Sequence, residues 1–217
     1  VGSEMCIRDR PGPARSVTMS PDGTRAYVSI AGDGSDGNKV ATVDTAANRV
    51  LSTAPVIADP TGAIPSPDGR FLYVAGRGSD KLDEFDPAAG VVTRSVQVPK
   101  SPVATAASAD GSRVYLASDG GGSTLTVVDP DSLLVLGSYP VRGDAQALAA
   151  TAANTPAPRV AVAGPDSDTV DVLDPANGKQ VGSVQIDSAP VAMAFAPDGR
   201  HLYVVSKDRG AVRVVDT

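Results

Sequence analysis

Ser66-Pro67-Asp68-Gly69-Arg70-Phe71-Leu72-Tyr73-Val74 is a tight-turn sequence that runs straight into an apolar stretch, and it does not stand alone. The turn recurs as Ser20-Pro21-Asp22-Gly23, Ser108-Ala109-Asp110-Gly111 and Ala196-Pro197-Asp198-Gly199, with a degenerate copy expected at Asn154-Thr155-Pro156-Ala157. Starting positions 20, 66, 108, 154 and 196 are separated by 46, 42, 46 and 42 residues. Tyr27, Tyr73, Tyr115 and Tyr203 each lie four residues past the turn glycine, with Ala161 in the degenerate copy. A third marker is the aspartate that closes an alternating run: Asp44, Asp86, Asp129, Asp174 and Asp216. Three markers in one phase define an internal repeat, which takes precedence over any single motif.

The turn has a mechanical reading. Proline presets φ at the first central position, aspartate accepts a backbone hydrogen bond, and glycine enters φ > 0 without a Cβ penalty. Asp22, Gly23, Asp68, Gly69, Asp110, Gly111, Asp198 and Gly199 are therefore read as turn devices joining an innermost strand to the next. In the fourth repeat the pattern predicts strands over Val160–Gly164, Thr169–Asp174, Lys179–Ile186 and Val191–Ala196. Alternation such as Thr169-Val170-Asp171-Val172 is the period of a half-buried strand. The Ala-rich stretch 144–154 favours helix on propensity, but repeat phase places Ala147–Thr151 on an inner strand among crowded neighbours.

Four strands per unit of about 40–50 residues is the spacing of propeller blades. The fold class is thus all-β: a β-propeller of four-stranded antiparallel blades, with about five blades over residues 11–217 starting near 15, 62, 102, 145 and 190. Residues 1–10 (VGSEMCIRDR) share nothing with the repeat and read as a non-native, adapter-derived tail. The last repeat stops at Asp216-Thr217, and Pro11-Gly12-Pro13-Ala14-Arg15-Ser16 is poor strand material. An incomplete fragment of a larger, seven-bladed ring is expected, its remaining blades belonging to its own full-length chain.

Composition narrows the function. A net charge of −6 argues against a nucleic-acid surface, which needs Lys and Arg to neutralise phosphates. No apolar run is long enough to serve as a transmembrane segment. One Cys and one His build neither an internal disulfide nor a Cys/His zinc site, and give no ligand set for haem.

The chain resembles the YVTN-type propeller repeat of bacterial and archaeal secreted or surface-layer proteins. The resemblance rests on Ser66–Val74, Val127-Val128-Asp129, Val181–Ile186 and Ala189-Pro190, and it spans residues 15–217. It implies a seven-bladed fold, exported outside the cytoplasm, with no shared reaction. Pro67–Val74 with Arg77-Gly78-Ser79-Asp80 and Phe85 is also similar to lactonase-type propellers, whose chemistry would lie in the channel.

Candidate sites follow. The loops joining second and third strands are Gly- and Asp-rich, and share a face with the connections between blades, where Asp59, Lys100, Arg142, Asp144 and Asp187 are candidate ligand-binding residues. Asp33, Asp36 and Asn38 could supply oxygen ligands to Ca²⁺, though their spacing matches no calcium-loop motif. No other cofactor is expected. His201 reads as a surface-facing strand residue, and Asp83-Glu84 as solvent-exposed carboxylates at a blade edge. Gly120–Gly122 lacks the Lys-Ser/Thr and helix start of a phosphate loop. The expected function is a non-catalytic, extracytoplasmic scaffold binding a protein or small-molecule ligand through its loop-rich face. The alternative is a lactonase-type hydrolase.

Overall fold

Alternating Val, Leu, Ala and Thr, cut by turns every few residues, gives strands throughout, and among the described residues there is no helix. The computed structural model describes residues 13–32, 37–57, 59–108, 110–143, 145–151, 157–164, 168–186, 190–206 and 211–217. The chain divides into two compact units, Val1–Gln97 and Val98–Thr217.

The first unit holds two four-stranded sheets, β1 (Ala14–Met19), β2 (Arg25–Ile30), β3 (Lys39–Asp44), β4 (Arg49–Pro55) and β5 (Pro60–Pro65), β6 (Leu72–Gly76), β7 (Lys81–Asp86), β8 (Val91–Gln97), each in sequential order. The second holds β9 (Pro102–Ala107), β10 (Val114–Ser118), β11 (Thr124–Asp129), β12 (Leu134–Pro140), then β13 (Ala147–Ala150), β14 (Val160–Ala163), β15 (Thr169–Leu173), β16 (Gln180–Gln185). Its third sheet has three strands, β17 (Pro190–Phe195), β18 (His201–Ser206) and β19 (Ala211–Asp216). Every strand pair is antiparallel, as propeller blades require. Two details of the sequence reading change. The strand at Pro190–Phe195 pairs with β18, so it opens the next sheet and does not close the sheet before it. The fourth turn begins at Thr151, not at Asn154.

The turn chemistry explains that second shift. Ser20 Oγ donates to Asp22 Oδ1 (2.5 Å) and accepts from the Arg25 amide (2.9 Å), while its own amide bonds the Arg25 carbonyl. Ser66 repeats the set with Asp68 (2.6 Å) and Phe71 (3.0 Å), and the Ser108 hydroxyl accepts from Arg113 (3.0 Å). Thr151 makes the same pair of backbone bonds to Arg159, its hydroxyl accepting at 3.0 Å. The hydroxyl therefore persists in the fourth blade, and the loop after it is longer. Asn154, Thr155 and Pro156 lie outside the described residues. Gly23, Gly69, Gly111 and Gly199 all have φ of +67° to +71°, the conformation the turn demands of them.

Each sheet buries a face against a neighbour within its own unit, because a blade cannot hide its apolar faces alone. In the first unit Tyr27, Val40 and Ala54 pack on Ala63, Leu72, Val74 and Phe85. In the second, Tyr115, Leu125 and Val127 pack on Val160, Val162 and Leu173, and Ala161, Val170 and Ile186 pack on Leu202 and Val204. Leu72 and Leu125 are fully buried, and each such side chain stabilises the fold by roughly 1.5–3 kcal/mol. Packing also settles the Ala-rich segment. Ala147 and Ala149 are buried opposite Ala163 and Ala161, so close sheet approach selects small residues and overrides their helix preference.

In the four-stranded sheets the aspartate at the end of the third strand caps the turn that follows. Asp44 Oδ1 accepts from the amides of Ala46 and Ala47, Asp86 from Ala88 and Ala89, and Asp129 from Asp131 and Ser132. After that turn a bulge interrupts each ladder between third and fourth strands: Val127 faces Gly137 and Val128 faces Val135, leaving Leu136 as the extra residue. The same step isolates Leu51, Thr93 and Val181 in the other four-stranded sheets. A bulge re-aims a side chain, and the aliphatic ones among these, Leu51, Leu136 and Val181, are exposed.

Candidate binding clefts between neighbouring blades

The turn ends of paired blades leave a cleft, and it is built twice. In the first unit it measures about 490 Å³ and is lined by the Ser20–Arg25 turn, Tyr27, the Pro67–Arg70 turn and Asp86-Pro87-Ala88. In the second it measures about 410 Å³, lined by Ser108, Asp110, Ser112, Arg113 and Tyr115 of one blade, and by Thr151, Pro158, Pro175 and Ala176 of the next. Arg25 and Arg113, Tyr27 and Tyr115, Pro87 and Pro175 hold equivalent places in these two linings. Val127, Leu136 and Tyr139 complete the second cleft.

Local structure fixes each wall. Tyr27 and Tyr115 are buried near the starts of their second strands, and burial pushes both hydroxyls above the ordinary tyrosine range. The proline of the capped turn leads the opposite wall. Arg113 lies 3.9 Å from Asp129, and the Arg70 guanidinium stacks over the Phe71 ring at 5.3 Å. The carboxylates are already engaged. The Ser20 hydroxyl and the Thr24 amide and hydroxyl hold Asp22 down at about 2. The Ser66 and Ser108 hydroxyls likewise lower Asp68 and Asp110. A carboxylate held that low is a poor general base near neutral pH. Neither His nor Cys is among the described lining residues. The arrangement can recognise apolar side chains and hydrogen-bonding groups.

The residues singled out in the sequence are placed as follows. Asp59, at φ +49° between β4 and β5, lies 3.5 Å from Arg15 on the exposed surface. Lys100 and Arg142 are exposed on the β8–β9 and β12–β13 connections, with no ion pair to a described residue. The Lys100 carbonyl accepts from Gly120, so the glycine run is used in backbone packing. Asp144, Asp187, Asp33 and Asp36 lie outside the described residues. The Asn38 side-chain oxygen accepts from the Gly32 amide at 3.2 Å. Among the described residues no group of three or more His, Cys, Asp or Glu could hold a metal ion. His201 is exposed, its Nδ1 2.5 Å from Asp198. That contact and the amides of Arg200 and His201 hold Asp198 at about 2, with the Arg200 amide contributing most.

Asp83 and Glu84 correct the expectation of solvent exposure: they are 5% and 3% exposed. Asp83 accepts from Ser95 at 2.6 Å, and the same cross-strand position is filled by Thr126 with Ser138 (3.0 Å) and Asp171 with Ser183 (2.8 Å). It is a repeated structural pair. Burial pushes Asp83 above the ordinary range, whereas the Arg94 guanidinium and the Thr93 hydroxyl hold Glu84 below it.

The clefts themselves escaped the sequence reading, because their walls come from neighbouring blades. One signal was available. Arg25 and Tyr27 recur as Arg113 and Tyr115, and Asp86-Pro87-Ala88 as Asp174-Pro175-Ala176, all at one separation.

Comparison with known proteins agrees with this architecture. A chain of Kuenenia stuttgartiensis hydrazine synthase superposes with a TM-score of 0.60 at 15% identity, covering 100% of this chain and 99% of that one. At that identity the likeness concerns fold alone. A search of curated proteins gives no match. The family model described as outer membrane protein assembly factor BamB matches residues 30–215, nearly the whole repeat region; the match is to this family and not specifically to the YVTN repeat. With nearly every residue of β3 to β19 inside that match, the chain belongs to the outer membrane protein assembly factor BamB family of β-propeller proteins.

Proposed function

We propose that the chain is a non-catalytic propeller scaffold that binds protein partners outside the cytoplasm, at the cell envelope, and that the inter-blade clefts are part of its binding surface. Family membership supports the compartment and the binding role. The observation that carries the reading is the repetition of one cleft whose apolar lining is accessible while its carboxylates are held in turn hydrogen bonds. The same pocket presented once in each unit suits recognition of repeated segments, since two linked weak sites gain by avidity. The inter-strand connections, with Asp59 in the first unit and Lys100 and Arg142 in the second, offer further binding residues.

The test is site-specific photo-crosslinking in envelope fractions. A crosslinker at position 25, 113 or 139 is expected to give discrete protein adducts, and one at exposed Thr53, away from the clefts, is expected to give none. Adducts distributed equally over all positions would remove the clefts from the reading. Turnover of a lactone by the purified chain, abolished by Asp110→Asn, would replace the scaffold with a hydrolase.

A further inference from the structure

We propose that β12 (Leu134–Pro140) is a strand-addition site. An extended partner segment with alternating apolar side chains pairs along its free edge and sets one side chain into the adjoining 410 Å³ cleft. The inference rests on the protein-binding reading above and names the chemistry of the partner.

β12 is the outer strand in the order β12-β11-β10-β9, so one row of its backbone N–H and C=O groups is bonded to β11 and the other faces outward. An unpaired edge is a template for another extended backbone. Proteins commonly blunt such edges with charge. β8 carries Arg94 at its centre and β4 opens on Arg49, but Leu-Val-Leu-Gly-Ser-Tyr-Pro of β12 has no charged residue. Leu134, Val135 and Leu136 are 60%, 38% and 50% exposed, three consecutive aliphatic residues. The uncharged β16 exposes only Val181 among its large apolar residues.

The bulge joins edge to cleft. As the extra residue opposite β11, Leu136 is taken out of the alternation, and it lines the cleft with Tyr139, Pro158 and Pro175. The Tyr139 hydroxyl already donates to the Ala176 carbonyl at 3.3 Å, so its ring is held as a fixed wall. Backbone pairing would supply affinity, and the Leu136–Tyr139–Pro175 cleft would select an aromatic or branched aliphatic side chain. Pro140 ends the edge, because proline has no N–H to offer; the footprint is therefore the six residues Leu134–Tyr139.

The probe is a fluorescein-labelled peptide of alternating Val and Thr with a central Phe and terminal Lys residues, titrated into the full chain by anisotropy. Saturable binding is expected, with hydrogen-exchange protection confined to the amides of residues 134–139. N-methylation of alternate amides on one edge of the peptide should weaken binding at least tenfold, and on the other edge leave it unchanged. Leu136→Asp, with an unchanged circular dichroism spectrum, should also weaken it tenfold. Equal affinity for both methylated peptides would overturn strand pairing, as would protection on β4, β8 or β16 in place of β12, or no binding at millimolar peptide. Should the peptide fail while crosslinks from position 139 still form, strand addition falls and the scaffold reading stands; loss of both removes the scaffold reading as well.

Discussion

In the first unit, Ala54 of the outer strand lies 3.5 Å from where a Cβ on Gly90 would sit; in the second, the Tyr139 ring occupies the equivalent space against Gly178. Ala54 and Tyr139 correspond because each faces the same third-strand position, Val40 and Leu125. Gly90 and Gly178 correspond as the residue four past the capping aspartate, both at left-handed φ, +72° and +69°. One design thus gives an open cleft of about 490 Å³ and an aromatic-walled one of about 410 Å³. Tyr139 lines the second cleft while Ala54 does not reach the first, and the turn residues that build both are shared.

The largest test of that contrast is at the two glycines. A Cβ on Gly178 would fall within the Tyr139 ring, so Gly178→Ala combines left-handed strain with overpacking. A loss of about 3 kcal/mol is expected in urea unfolding of the second unit. Gly90→Ala meets only Ala54 at contact distance, and should cost about 1 kcal/mol. Equal losses would show that Tyr139 moves aside freely and that the second cleft is no more fixed than the first.

Truncation of the outer-strand residue comes next. Tyr139→Ala removes a half-buried ring and its bond to Ala176. About 2 kcal/mol is expected from thermal or urea melts. Ala54→Gly should lose about 1 kcal/mol, chiefly backbone entropy. A Tyr139→Phe variant that keeps full stability would assign the effect to packing of the ring.

The turn hydroxyls should behave alike in both units. Ser66→Ala and Thr151→Ala each leave a backbone amide, of Phe71 or Arg159, without its side-chain acceptor, at about 1 kcal/mol apiece. Because Ala196 lacks that hydroxyl, Ala196→Ser is expected to add a fraction of 1 kcal/mol in the same melts. No gain there would mean that His201, bonded to Asp198, already does the serine's work.

The smallest effects are electrostatic and differ in sign. Asp22, beside the first cleft, is lowered from 3.8 to about 2. Its contribution is complete above about pH 4 and is lost as pH falls through 2; the carboxyl resonance of Asp22 followed by NMR should titrate late. Asp83 is raised by burial, so the native state holds its proton to higher pH than the unfolded chain. Stability from that site therefore falls as pH rises through its folded pKa. Asp83→Asn should raise the urea midpoint at pH 7 and not at pH 3. Asp171, at the equivalent strand position in the second unit, accepts from both Gln180 and Ser183, and Asp171→Ala should cost about 1 kcal/mol in the same melts through those bonds.

The turns and strands could be read from the chain because their causes are local. Ser66, Asp68 and Phe71 bond to one another within six residues, so the pattern names its own geometry. Where a turn lost Asp-Gly, the reading slipped to Asn154 and missed Thr151, whose hydroxyl does the serine's work across a longer loop. Asp83 and Glu84 misled for a related reason. Their polarity signals solvent, and only the partner strand, with Ser95, Thr93 and Arg94, shows that they are satisfied while buried.

The sequence by itself determined the repeat, the all-β class and the turn that separates first from second strands, since each follows from φ preferences and hydrogen bonds among near neighbours. Only the tertiary structure decided that Asp83 and Glu84 are buried, that bulges turn Leu51 and Leu136 outward, and that Tyr139 closes on Gly178. Those outcomes depend on which surfaces meet across sheets, and packing between segments distant in sequence leaves no periodic mark in either one alone.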